Sequence, residues 1–202
     1  MLHLYHHPRS TFARRVRIAL IEKKIEHEAI ELNMAGRAHK APEYLARNPY
    51  GRVPTIDDDG FVLYESAAIL QYLDATRPKP PLTPSDAKGR ALVDMHLRLC
   101  DGQLGRYAGV ILFPKRFLPK EKRDLPAMAQ AKTEIEKHLA IVESTLGNRD
   151  YLVGDAFTLA DIANLPFLHF LATMEIEPGP RTAAWRTRLL ARPSALATVP
   201  AQ

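Results

Sequence analysis

Leu2 and Leu4 alternate with His3 and Tyr5, a period of two that predicts a short strand, and His6-His7-Pro8 ends it. From Thr11 onward Phe12, Val16, Ala19 and Leu20 fall at i, i+4, i+7 and i+8. That spacing puts them on one face of a helix over 11–24, with Arg14 and Arg17 off the stripe. Ser10 stands at the helix entrance, where a hydroxyl caps otherwise unpaired backbone N–H groups. Residues 28–32 read as a second strand, and 41–47 as a short helical turn.

Residues 48–70 combine several signals. Two short apolar runs flank the acidic, Gly-ended turn Asp57-Asp58-Asp59-Gly60, the pattern of a β-hairpin, and the second run feeds Glu65-Ser66 and an Ala-rich helical stretch. Pro54 has no N–H and pushes Val53 to an extended conformation, so Val53 presents its own N–H and C=O at the sheet margin. With the Val53–Pro54 bond in cis, the turn would aim those groups away from the ladder. Ser66 falls in the first turn of the next helix, where unpaired N–H groups and the positive dipole end favour a carboxylate. A peptide's backbone and one of its carboxylates are both provided for.

Pro78, Pro80, Pro81 and Pro84 crowd a stretch too rich in proline for a helix or central strand. Residues 76–86 therefore read as a linker between domains at 1–75 and 87–202. Beyond it only helical periodicities recur, at 87–105, 128–146 and 159–171. Thr158 with Asp161 three residues on forms a variant capping box, and Phe157 ahead of Ile162 its hydrophobic staple, so Thr158 and Asp161 read as structural.

Composition narrows the classes. The 202 residues suffice for a buried core, and the apolar and charged shares of 46% and 25% are those of an ordinary globular protein. The most apolar region, 151–174, is broken by Asp155, Asp161, Asn164 and Pro166 and fails as a membrane span. The net charge of +5 is spread along the chain, which points to a solvated surface and not to a nucleic-acid footprint. The Arg-rich, acid-free start superficially suits a transit peptide, but the same residues complete the strand and helix. Cys100 is the single cysteine, which excludes an internal disulfide and suits a reducing compartment, the cytoplasm. The spacing of His3, His6 and His7 fits no zinc pattern, so no metal is expected.

The run Asn48-Pro49-Tyr50-Gly51-Arg52-Val53-Pro54 followed by Glu65-Ser66 resembles the glutathione-binding half of the glutathione S-transferases. His7-Pro8-Arg9-Ser10, followed by Arg14-Arg15-Val16-Arg17-Ile18-Ala19-Leu20, is similar to the serine-type members, especially the phi and zeta classes. The His39-Lys40 pair ahead of Arg47 to Pro54 is similar to a phi-class pattern, and Trp185 and Arg192-Pro193 to the family's C-terminal one. The resemblance implies an α/β thioredoxin-like N-terminal domain followed by an all-α C-terminal domain. It also implies a homodimer that takes glutathione as co-substrate, needs no bound cofactor and attacks a small hydrophobic electrophile.

In residue terms, the resemblance makes Ser10 the catalytic hydroxyl, although on spacing alone it is also a plain cap. Val53, ahead of Pro54, would pair with the cysteinyl backbone, while Glu65 and Ser66 hold the γ-glutamyl amine and carboxylate. His39, Lys40 and Arg52 would face the glycyl carboxylate; an exposed loop pair is the alternative for His39 and Lys40, and the phi class often has Gln in place of Arg52. Thr11 and Tyr5 stand where other classes put a catalytic Cys or Tyr. The electrophile pocket is expected between the domains, near Tyr107 and Ile111. Glutathione-dependent peroxide reduction or isomerisation at the same site, and a non-catalytic interaction module, are the alternatives. A dithiol oxidoreductase is disfavoured because the chain has no C-x-x-C.

Overall fold

The computed structural model describes residues 1–200. The chain divides into two units, one of Met1–Leu82 with the segment from Arg192 onward, the other Thr83–Ala191.

The first unit is a four-stranded sheet in the order β2-β1-β3-β4, with β1 Leu2–His6, β2 Glu28–Glu31, β3 Thr55–Asp58 and β4 Phe61–Tyr64. β1 runs parallel to β2 through the helix α1, Thr11–Glu22, and antiparallel to β3; β3 and β4 form the hairpin across Asp59-Gly60. Leu2, Leu4, Val16, Leu20, Ile56, Ile69 and Leu73 make the core between the sheet, α1 and α3, Ser66–Thr76. Burying each such side chain contributes about 1.5–3 kcal/mol. A 3-10 turn, Ala38–Lys40, and the short helix α2, Pro42–Leu45, precede the hairpin. At the far end of α3, Arg77 holds Asp58 through two N–H···O bonds of 2.8 and 2.9 Å, which ties the helix end to the hairpin.

Arg14, off the apolar stripe of α1, is nevertheless buried. Its guanidinium donates to Thr198 Oγ1 at 3.2 Å and to the Ala195 carbonyl at 3.0 Å, and burial lowers its pKa to about 10. Arg192 grips Glu22 with bonds of 2.8 and 2.7 Å. These contacts bring the C-terminal segment, with the short helix α9, Pro193–Leu196, back to the first unit, whereas the sequence division left all of 87–202 in one domain. Lys23, also buried, donates to Asp74 Oδ1 and the Pro80 carbonyl, both at 2.7 Å, and so anchors the proline-rich stretch to α1 and α3.

The second unit is helical among its described residues. α4, Ala87–Leu99, passes through a π-helical turn, Cys100–Gly105, into α5, Arg106–Phe117. α6, Leu125–Leu146, α7, Leu159–Leu168, and α8, Pro180–Leu190, complete it. Every residue of α7 is buried, as its apolar composition demands. The Thr158–Asp161 capping box forms as the sequence indicates. α5 continues through Pro114, a residue that argues against helix in a sequence reading, and the helices α8 and α9 carried no periodicity clear enough to predict. No described helix is long and apolar enough to cross a membrane, and the described residues contain no group of three His, Cys, Asp or Glu placed to hold a metal ion.

Candidate functional site

The turn before β3 is held by a directed chain of hydrogen bonds. Tyr44 of α2 donates its hydroxyl to the Arg52 carbonyl at 2.6 Å, and Asn48 Nδ2 donates to the same carbonyl at 2.9 Å and to Thr55 Oγ1 at 3.1 Å. Tyr44 has a single proton, committed to Arg52, so at 2.8 Å it is Thr55 that donates to Tyr44. Burial raises the Tyr44 pKa, which keeps the hydroxyl protonated and donating. Asn48 also accepts from the Tyr50 N–H at 3.1 Å. The peptide that leads into Val53 is thereby immobilised from behind. Neither Tyr44 nor Asn48 was assigned a role from sequence, although both lie beside the Val-Pro motif.

Gly51 completes the turn at a φ of +58°, a region that disfavours side chains. A Cβ there would also lie 2.6 Å from the His39 carbonyl, so the 3-10 turn of His39 and Lys40 packs directly on it. Lys40 spends one donor on the Tyr50 carbonyl at 3.0 Å. His39 is half-buried, its Nδ1 is enclosed without a hydrogen-bond partner, and desolvation, then Lys40 and Arg37, lowers its pKa. The lowered pKa favours the neutral ring.

Val53 and Pro54 are joined by a cis bond. They share with Phe12, Asn48, Arg52, Glu65 and Ser66 the walls of a cavity of about 100 Å³. Arg52 and Glu65 are exposed on its rim, whereas Ser66 is buried at the first residue of α3. Glu65 has φ 72° and ψ 111°, a conformation that strains a non-glycine residue, and its side chain does not cap the helix. Ser66 Oγ accepts from Arg15 Nη1 at 3.1 Å. Arg15 is fully buried, and its guanidinium lies 4.9 Å from the centre of the Phe12 ring. The Arg15–Ser66 contact was missed from sequence: the pair stand 51 positions apart, and nothing local in either residue signals the other.

Of the sequence-predicted residues, the cavity thus gathers Arg52, Val53, Pro54, Glu65 and Ser66; Ser10, His39 and Lys40 are not among its walls. Ser10 lies two residues before Phe12, is half-buried and caps α1, its Oγ accepting from the Ala13 N–H at 3.1 Å. An accepting hydroxyl keeps its own proton to give. The first turn of α1 has no acidic residue, so its positive end is left for an anion. Of the alternative residues, Thr11 is the first residue of α1, and Tyr5 packs edge-on against Tyr44 with the Arg47 guanidinium over its ring. In the second unit, Ile111 is buried and lines a cavity of about 400 Å³ with Met128, Met174 and several lysines; Tyr107 is half-buried on α5 and is not among its walls. Cys100 is buried with its thiol donating to the Ala163 carbonyl at 3.4 Å, a packing role.

The family model for the glutathione S-transferase N-terminal domain matches residues 4–81, and that for the C-terminal domain residues 106–193. The chain belongs to the glutathione S-transferase family. It is 31% identical over 206 residues to a glutathione S-transferase of Silene vulgaris, covering 93% of this chain and 91% of that one. The crystal structure of glutathione transferase F2 from Populus trichocarpa superimposes with a TM-score of 0.89 at 27% identity, over 98% of this chain and 97% of that one. Glutathione transferase URE2P6 from Phanerochaete chrysosporium, solved in complex with oxidized glutathione, gives 0.87 at 29% identity, over 98% and 94%. The plant relatives support a transferase of the phi type, and the thioredoxin-like half followed by a helical half is the family's fold.

Proposed function

We propose that this protein joins glutathione to a small apolar electrophile, with Ser10 stabilising the glutathione thiolate. The reading rests chiefly on the cavity at the start of α3, whose volume of about 100 Å³ suits the α-amino-acid end of a peptide. Ser66 and the first-turn N–H groups of α3 face its carboxylate, and Glu65 attracts its amine. The Val53 peptide, held at the sheet margin beside Pro54, pairs with the cysteinyl backbone, while His39, Lys40 and Arg52 face the glycyl carboxylate. A γ-glutamyl tripeptide satisfies all three stations.

The chemistry needs a thiolate, because the thiol is a poor nucleophile. A free thiol of pKa about 8.5 is only about 3% ionised at pH 7. A hydrogen bond to a charged acceptor contributes about 1.5–3 kcal/mol, or one to two pKa units, which raises the thiolate fraction up to about twenty-fold. Lower basicity offsets part of that gain through a Brønsted slope of about 0.4–0.5. The larger share comes from holding sulfur beside the electrophile. The thiol proton passes to solvent on ionisation; as the thiolate then forms the sulfur–carbon bond, the leaving group departs with its electron pair.

Conjugation of apolar electrophiles fits a detoxifying role in the cytoplasm, and the single cysteine suits that compartment. A homodimer is part of the same reading, as the family resemblance implies. Light scattering tests it. Retention on immobilised glutathione, followed by turnover of a generic aryl halide with glutathione, tests the activity; absence of both would overturn it.

A further inference from the structure

Ser66 and Arg15 lie on different helices, yet together they complete the carboxylate end of the cavity. Ser66 Oγ, buried at the first residue of α3, accepts a hydrogen bond from the Arg15 guanidinium at 3.1 Å. A hydroxyl carries one proton and two lone pairs, so once Arg15 occupies a lone pair the proton is left to donate. Ser66 lines the cavity, and the cavity is where that proton finds an acceptor. A hydroxyl polarised by a charged donor is also a stronger donor itself. Arg15 is fully buried, so its bond to Ser66 is shielded from competing water. Its guanidinium also lies over Phe12, a second wall of the same cavity. The planar fork of an arginine can bond one group and stack on another at once, which a lysine ammonium does not reproduce.

We propose that Arg15 is a positioning residue for substrate selection: it fixes the Ser66 hydroxyl as a donor into the cavity, so that the site discriminates for ligands bearing an α-carboxylate at this end. The inference rests on the glutathione reading above. Without Arg15, the buried Ser66 hydroxyl would have no charged donor to fix its rotation and could donate or accept with little preference. With Arg15 in place only the donating orientation serves both neighbours.

The test compares glutathione with its analogue lacking the γ-glutamyl α-carboxylate, using wild type, Arg15→Met, Arg15→Lys, Ser66→Ala and the Arg15→Met/Ser66→Ala double variant. Steady-state kinetics and calorimetric binding are read beside melting temperature. In Arg15→Met the KM for glutathione should rise about ten-fold with kcat within about three-fold, as expected for loss of a ground-state contact. The KM for the analogue should change less than two-fold in the same variant. Arg15→Lys should recover part of the glutathione affinity, and the double variant should be little worse than the poorer single one, because both act on one carboxylate. Equal losses for glutathione and analogue, additive losses in the double variant, or an unchanged glutathione KM would overturn the proposal. If Arg15→Met does not fold, Arg15→Lys decides: a rise in KM for glutathione alone supports the proposal, and equal rises overturn it. Wild type that binds neither ligand would instead overturn the glutathione reading itself.

Discussion

Trp185 donates its indole N–H to Asp161 Oδ1 at 2.9 Å, and both side chains are buried. Asp161 accepts as well from the N–H groups of Leu152 and Thr158 and from the Thr158 hydroxyl, so one carboxylate pins the start of α7, the preceding loop and α8. Burial pushes the Asp161 carboxyl up and these donors pull it back. Asp161→Ala strands several buried donors at about 1–3 kcal/mol each. With about 2–4 °C lost per kcal/mol in a chain of this size, a fall of about 10 °C or more is expected. Trp185→Phe, which removes one of these four donors, should cost roughly a quarter as much. Thermal melts decide, and a larger loss in Trp185→Phe than in Asp161→Ala would contradict this account of the network.

Glu65 combines strained backbone with an exposed side chain on the cavity rim. Glycine relieves a positive φ worth about 1–3 kcal/mol, against about 0.5–1 kcal/mol of extra chain entropy. Glu65→Gly should therefore melt at or above the wild-type temperature while its glutathione KM rises about ten-fold. A variant that melts well below wild type would show that Glu65 acts in folding.

His96 of α4 and His138 of α6 are both buried, and both titrate below the ordinary histidine range: desolvation is the main cause for each, followed by Arg149 for His96 and by His96 for His138. The folded state thus favours their neutral forms, while the unfolded chain takes up protons near pH 6.5. Stability from this source is present above about pH 6.5 and is lost as pH falls below it toward the folded values. Melting temperature should drop between about pH 7.5 and about pH 5.5, before the carboxylates titrate. His138→Gln should flatten that slope; an equal slope in the variant would place the titration elsewhere.

The parts of the fold that were legible are those set by local rules. The β1 alternation, the α1 stripe, the hairpin turn and the capping box each depend on residues within a few positions of one another. The return of the C-terminal segment was not, because it depends on Arg14 with Ala195 and Thr198 and on Glu22 with Arg192, pairs from opposite ends of the chain. The site divides the same way. Val53, Pro54, Glu65 and Ser66 sit in one stretch whose turn and helix signals are local, and they do share one cavity. Arg15 behind Ser66, and Tyr44 behind Arg52, are supporting contacts that only folding brings together.

On the proposed mechanism Ser10, whose Oγ accepts from the Ala13 N–H, gives its own proton to the sulfur of bound glutathione. Ultraviolet absorbance of the thiolate, followed against pH in the complex, measures this directly. In wild type the bound thiol should titrate about one to two units below its free value of about 8.5, and in Ser10→Ala it should return to about 8.5 with glutathione affinity within a few-fold. Equal titration midpoints in wild type and Ser10→Ala would contradict the claim and leave Ser10 as a helix cap alone.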